Sequence, residues 1–122
     1  MRVLLVEDSR DLRRLFARVL RRSGFEVCEA SDGREALDVV LEFRPEVVVT
    51  DVMMPEMDGI ELIRRLRATP ATAEIPIVVM TAAPTDEARR DALRAGAAHV
   101  LGKPFDSRAL LDRVNDARGE AR

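Results

Sequence analysis

VVVTDVMMPEMDG, residues 47–59, is the stretch that decides the fold. Its β-branched apolar run is typical of a strand buried on both faces, yet the run leads directly into the carboxylate of Asp51. In an open parallel sheet, reactive groups gather just beyond the carboxyl ends of the strands. Asp51 is therefore predicted to lie at the exit of a strand, and Asp58 is predicted to cap the helix that follows.

The alternation of strand and helix patterns recurs along the whole chain. Strand-like runs are VLLV (3–6), FEVCEA (25–30), VVVT (47–50), IVVM (77–80) and HVL (99–101). Each run is followed by apolar residues at helical spacing, the clearest set being Leu12, Leu15, Phe16, Val19 and Leu20. Five strand–helix units in succession call for right-handed crossovers. The pattern predicts an α/β fold, a doubly wound (βα)5 parallel sheet with helices on both faces.

Length and composition limit the class of protein. A chain of 122 residues suits one compact domain, which we expect to span residues 1–119 with a frayed tail at 120–122. The single cysteine, Cys28, suits a reducing compartment and a packed position in a strand. No apolar run is long enough for a membrane span or a signal peptide, so a cytoplasmic location is expected. The net charge of -2, with mixed signs, predicts no direct binding of nucleic acid.

Polar residues follow four of the predicted strands. They are Glu7 and Asp8 after the first strand, Asp51 after the third, Thr81 after the fourth and Lys103 after the fifth. If the first and third strands are neighbours, three carboxylates share one pocket, where each like-charge pair about 4 Å apart costs on the order of 4 kcal/mol. Oxygen ligands without histidine or cysteine favour a hard cation such as Mg²⁺. With a hydroxyl and an ammonium, the set suits phosphoryl transfer to Asp51 as the nucleophile.

Lys103 stands out because the other nineteen basic residues of the chain are all arginine. An ammonium is a compact point charge, whereas a guanidinium is a planar fork. The lone lysine therefore suggests a pocket that accepts a point charge and would not fit a fork.

Five motifs stand together in the order and at the spacing of a known family: VLLVED, DVMMPEMDG, VVMTA, AGA and KPF. Over essentially the whole chain they resemble the response-regulator receiver domains of two-component signalling. The resemblance implies a flavodoxin-like sheet of strand order 2-1-3-4-5. It also implies that a histidine kinase or a histidine phosphotransfer protein phosphorylates Asp51 in a Mg²⁺-dependent reaction.

The resemblance implies a role for each matched residue. The roles are metal binding by Glu7, Asp8, Asp51 and the backbone carbonyl of Met53, a switch hydroxyl on Thr81, and a phosphoryl contact from Lys103. In the family, the peptide bond between the lysine and the next residue, here Pro104, is often cis.

In the family, phosphorylation acts on the face made by the fourth helix, the fifth strand and the fifth helix. An aromatic residue three positions before the lysine rotates there, but this chain has Val100, so we expect a muted or differently transmitted change. The face is expected to control a partner or an output domain, and a phosphorylation-linked dimer is a further option. A stand-alone receiver and one joined to a transcription factor, a cyclic-nucleotide enzyme or a hybrid kinase all fit the sequence.

Three other functions compete with a signalling switch. A phosphatase of the haloacid-dehalogenase type needs an acid–base aspartate two residues after its nucleophile, where this chain has Met53. A degenerate receiver acting as a scaffold is disfavoured because every site residue is present, and a Rossmann domain because no GxGxxG follows the first strand. We predict a signalling domain, not an enzyme, that assists its own phosphoryl transfer and slow dephosphorylation.

Overall fold

Strands and helices alternate along the chain in the computed structural model, which describes residues 1–52, 54, 57–82 and 85–119. The strands are β1 (Arg2–Val6), β2 (Glu26–Ala30), β3 (Val47–Asp51), β4 (Ile77–Thr81) and β5 (His99–Gly102). The helices are α1 (Arg10–Arg22), α2 (Gly33–Phe43), α3 (Gly59–Ala68), α4 (Asp86–Ala95) and α5 (Ser107–Gly119). All pairings are parallel, and the sheet order is β2-β1-β3-β4-β5. The predicted fold and strand order are confirmed.

Helices cover both faces of the sheet, which explains the continuous apolar runs. On one face, α1 and α5 pack through residues such as Phe16 and Val114. On the other face, α2, α3 and α4 pack through residues such as Val40, Ile63 and Ala92. Every residue of β3 and β4 is buried, so these two strands form the centre of the core.

Helix α1 buries a narrower face than its apolar pattern suggested. Phe16 and Leu20 of the predicted stripe are buried, but Leu12 is 36% exposed and Leu15 is 51% exposed. The buried face also includes the small Ala17. A helix lying on a sheet covers only the part of its circumference that faces the sheet, and the two exposed leucines project beyond that part.

The observed helix ends agree only in part with what the sequence predicted. The carboxylate of Asp58 accepts a hydrogen bond from the backbone N–H of Glu61 at 2.8 Å, so the predicted N-cap of α3 is confirmed. Gly96 ends α4 with φ of 120°. The end of α2 was not predicted, because Arg44 adopts the left-handed region with φ of 53°, which usually favours glycine. Its carbonyl accepts a hydrogen bond from Nε of Arg2 at 3.0 Å.

Of the other predictions from the sequence, some are confirmed and some fall outside the described residues. Cys28 lies half-buried in β2 and packs against an apolar cluster, as predicted. Met53 and the tail at 120–122 lie outside the described residues, and the domain boundary at residue 119 stays a prediction. Within the described ranges, none of the helices has the length and apolar character needed to cross a membrane.

Gly59, the first residue of α3, packs against the end of β3. Its backbone N–H donates to the carbonyl of Val52 at 2.8 Å. A β-carbon at Gly59 would overlap the carbonyl oxygen of Asp51. Backbone atoms cannot turn aside as a flexible side chain can, so the absence of a side chain lets α3 begin directly against Asp51.

Replacing Gly59 with alanine is expected to lower the free energy of unfolding by about 1–3 kcal/mol, because the added methyl group forces the backbone apart. Urea denaturation followed by far-UV circular dichroism measures the change. Gly119→Ala is the matched control, since a β-carbon at Gly119 would meet no atom within 4 Å. Equal destabilisation in the two variants would contradict the steric explanation.

Candidate functional site

The carboxyl ends of β1 and β3 bring the predicted acidic residues together. These two strands are hydrogen-bonded neighbours, with Val6 paired to Thr50. Carboxylate oxygens of Glu7, Asp8 and Asp51 lie within 4.8 Å of one another. Glu7 and Asp51 are buried, whereas Asp8 is exposed. The acidic cluster is therefore closed on the side of the sheet and open at the loop.

The ammonium of Lys103 lies between two of these carboxylates. Nζ is 2.8 Å from Oε1 of Glu7 and 2.9 Å from Oδ2 of Asp51. The lysine side chain is only 16% exposed, so water screens these ion pairs weakly. The peptide bond from Lys103 to Pro104 is cis. The chain's single lysine is thus the cation that bridges the acidic cluster.

Thr81 is tied to Lys103 through the backbone. Thr81 is the buried last residue of β4, and its carbonyl oxygen accepts a hydrogen bond from the backbone N–H of Lys103 at 2.7 Å. β4 lies between β3, which carries Asp51, and β5, which leads into Lys103. The structure therefore places the predicted switch residue on the strand next to Asp51.

Glu7 is held by contacts that sequence reasoning missed. Its Oε2 atom accepts a hydrogen bond from the backbone N–H of Ser9 at 3.0 Å. Its carbonyl oxygen accepts another from Nη1 of Arg13 at 2.9 Å, and its N–H donates to the carbonyl of Ala30 at 3.0 Å. Ser9 also caps α1, and a serine just before a helical pattern was a signal available in the sequence.

The pocket holds three carboxylates and one ammonium, so its charge is not balanced. Burial raises the pKa of the Glu7 carboxyl, although the hydrogen bonds from Lys103 and Ser9 act in the opposite direction. Burial alone would lower the pKa of Lys103, but its hydrogen bonds to Glu7 and Asp51 outweigh burial and raise it. The two shifts therefore have different causes: burial disfavours the charged form of Glu7, whereas two nearby carboxylates stabilise the charged form of Lys103.

The donor set fits a hard divalent cation. Glu7, Asp8 and Asp51 offer oxygen atoms only, and Mg²⁺ is commonly held by one or two carboxylates with water and phosphate oxygens. The shortage of positive charge in the pocket favours such an ion as well. The proposed carbonyl ligand from Met53 lies outside the described residues.

The free energy of unfolding is expected to fall as the pH rises above 10.5, the ordinary pKa of lysine. Between that value and the raised pKa of Lys103, the folded state keeps a proton that the unfolded state has released, so deprotonation favours unfolding. The chain has no tyrosine and no second lysine to mask the effect. Urea denaturation across this alkaline range measures it.

The control for this prediction is made in a Cys28→Ser variant. The substitution removes the thiol, which would otherwise titrate in the same alkaline range because burial raises its pKa above the ordinary 9.0. In that background, Lys103→Met is expected to be less stable near neutral pH, because two buried carboxylates lose their cation. It should also lose the alkaline slope. The same slope in both proteins would assign the effect to another group.

Comparisons with known proteins agree with this geometry. Response regulator MprA of Mycolicibacterium vanbaalenii is 45% identical over 114 residues, which are 93% of this chain and 48% of that protein. MprA of Mycobacterium leprae is 44% identical over 114 residues, 93% of this chain and 49% of that protein. The chain thus spans about half the length of the curated relatives that it matches.

Two of the solved structures that resemble the chain match it over nearly their whole length. Chemotaxis protein CheY4 of Vibrio cholerae superposes with a TM-score of 0.91 at 34% identity, covering 95% of this chain and 97% of that one. The receiver domain of response regulator 1452 of Francisella gives a TM-score of 0.91 at 29% identity, with 99% and 98% covered. The family model for the response regulator receiver domain matches residues 3–115. The chain therefore belongs to the response regulator receiver domain family of two-component signalling.

Proposed function

We propose that this receiver domain is a phosphorylation-dependent switch that accepts a phosphoryl group on Asp51 from a histidine kinase or a histidine phosphotransfer protein. The observation that supports it most is the position of the Lys103 ammonium, 2.9 Å from Oδ2 of Asp51 inside an acidic cluster. A receiver domain is a signalling domain and not a classical enzyme. Its own residues would nevertheless assist phosphoryl transfer and slow dephosphorylation.

The chemistry proposed for Asp51 is a direct displacement at phosphorus. A carboxylate oxygen of Asp51 forms the new P–O bond while the P–N bond to the donor imidazole breaks, and the imidazole leaves. Lys103 would neutralise charge on the phosphoryl oxygens. Glu7, Asp8 and Asp51 would hold Mg²⁺, which supplies positive charge to the transferring group when bound.

Thr81 and Lys103 would both form hydrogen bonds to the phosphoryl group and so stabilise the phosphorylated conformation. Phosphorylation adds about -1.5 to -2 charges, and charge-assisted hydrogen bonds contribute about 1.5–3 kcal/mol each. Reversing a 1:99 equilibrium needs about 5.5 kcal/mol. Lys103 already bonds to Glu7 and Asp51, so only the difference between its old and new partners contributes. The net free energy available to the switch is therefore smaller than the sum of the new hydrogen bonds.

Phosphorylation would change the conformation of the surface formed by α4, β5 and α5. Val100 is buried in β5 beside Val79, and it has no ring that could rotate to the surface. We propose that the hydrogen bond from Lys103 N–H to the Thr81 carbonyl carries the change between β4 and the loop after β5. The face would act in the cytoplasm on a partner or an output domain, or form a phosphorylation-linked dimer, without direct contact with nucleic acid.

Acetyl phosphate with Mg²⁺ is expected to add one phosphoryl group to the wild-type chain, detected by intact mass. The Asp51→Asn variant should gain none, because an amide lacks the nucleophilic carboxylate. Omitting Mg²⁺ should strongly reduce the addition. No addition to the wild type, where another receiver reacts under the same conditions, would favour a scaffold function.

NMR tests the proposed route to the output face. With beryllium fluoride as a phosphoryl mimic, we expect the backbone amides of Leu101, Gly102 and Lys103 to shift, while the Val100 methyl groups move little. Val100→Tyr is the matched variant and should add a side-chain response at that position. An unchanged β5 in the wild type, with the mimic bound at Asp51, would exclude this route.

A further inference from the structure

Arg13 differs from the other arginines of α1 by lying against the acidic site. Its side chain is 18% exposed. Nη1 donates to the carbonyl oxygen of Glu7 at 2.9 Å, and Nε lies 3.5 Å from Oε1 of Glu29. By contrast, Arg14 is exposed and makes no ion pair or side-chain hydrogen bond with the described part of the chain.

The position of Arg13 is fixed by its contact with Glu29, a residue of β2. Glu29 accepts a second contact through Oε2, from Nη1 of Arg21 at 3.0 Å. Arg21 is fixed in turn, because its Nη2 donates to the carbonyl of Val27 at 2.9 Å. Half-exposed ion pairs of this kind contribute little to stability. Their effect is geometric, since they fix the direction from which Arg13 approaches Glu7.

The contact at the Glu7 carbonyl sets the path of the loop that carries Asp8. A peptide unit is planar, so fixing the Glu7 carbonyl also fixes the nitrogen and Cα of Asp8. The preceding peptide is fixed as well, by the hydrogen bond from Glu7 N–H to Ala30. Asp8 is exposed, so neighbouring side chains do little to confine it. Its position near Glu7 and Asp51 depends on the backbone.

We propose that Arg13, anchored by Glu29, is a positioning residue that holds the Glu7–Asp8 peptide in the orientation needed to bind a divalent cation. The choice of Mg²⁺ as that cation rests on the proposed function. Within the described residues, Arg13 forms no ion pair with Glu7, Asp8 or Asp51, and its contact with the cluster is the hydrogen bond to the Glu7 carbonyl.

The sign of the effect separates positioning from simple charge. The positive charge of Arg13 near three carboxylates repels a cation, so its removal would tighten Mg²⁺ binding if charge were all that mattered. Loss of positioning has the opposite effect, because the loop of Asp8 becomes free to leave the cluster. Weaker binding after removal of a positive charge therefore identifies a geometric role.

The test is a calorimetric titration of Mg²⁺ alone into the unphosphorylated chain. Arg13→Gln is expected to raise the dissociation constant about tenfold, the lower end for residues that orient metal ligands. Arg14→Gln makes the same charge change one residue away and should stay within about twofold of wild type. Arg13→Lys keeps the charge and at most one of the two contacts, so it should give an intermediate constant.

A second readout needs no cation. The amide resonances of Asp8 and Ser9 in the Mg²⁺-free protein should shift in Arg13→Gln and not in Arg14→Gln, with similar urea midpoints for both variants. If Arg13→Gln does not fold, weaker binding by Arg13→Lys supports the inference and unchanged binding overturns it.

The outcomes distinguish the inference from the proposed function. Mg²⁺ binding by the wild type with equal or tighter binding by Arg13→Gln overturns the positioning role and leaves the proposed function standing. Failure of the wild type itself to bind Mg²⁺ overturns both the cation site and the role of Arg13.

Discussion

The ammonium of Lys103, shared between Glu7 and Asp51, is the interaction on which the site depends. It joins the loop after β5 to the ends of β1 and β3, which lie 96 and 52 residues away in sequence. Removing one partner from a buried ion pair costs about 3–5 kcal/mol, because it leaves an uncompensated charge. Here the loss of the lysine would leave two buried carboxylates without their cation. These two contacts therefore join three strand ends at one edge of the sheet and offset part of the negative charge of the acidic pocket.

The strand order makes this arrangement available. Parallel strands place all their carboxyl ends on one edge, and the order β2-β1-β3-β4-β5 sets β1 beside β3 at that edge. Backbone contacts then refine the positions: Gly59 lets α3 begin against Asp51, and Thr81 holds the backbone of Lys103. The chemistry of the site resides in side chains, but their spacing comes from the backbone.

The sequence predicted the sheet and the acidic pocket because both follow from periodicity and from what comes after each strand. The apolar run into Asp51 indicated a buried strand with a polar exit, and the structure has that exit. Sequence reasoning missed the contact from Arg13 to the Glu7 carbonyl, since every residue has a carbonyl and its acceptor role leaves no pattern. It also missed the left-handed Arg44 and the exposure of Leu15, which depend on how closely neighbouring elements pack.

The raised pKa of Lys103 has a consequence for covalent chemistry. An amine attacks an activated acyl group only through its lone pair, and a protonated ammonium has none. The carboxylates that keep Lys103 charged therefore also suppress its nucleophilicity, and its burial limits access by reagents. A mixed anhydride such as acetyl phosphate can donate a phosphoryl or an acetyl group. If Asp51 is the nucleophile, as proposed, such a donor would react at Asp51 while the only lysine of the chain stays protected from acylation.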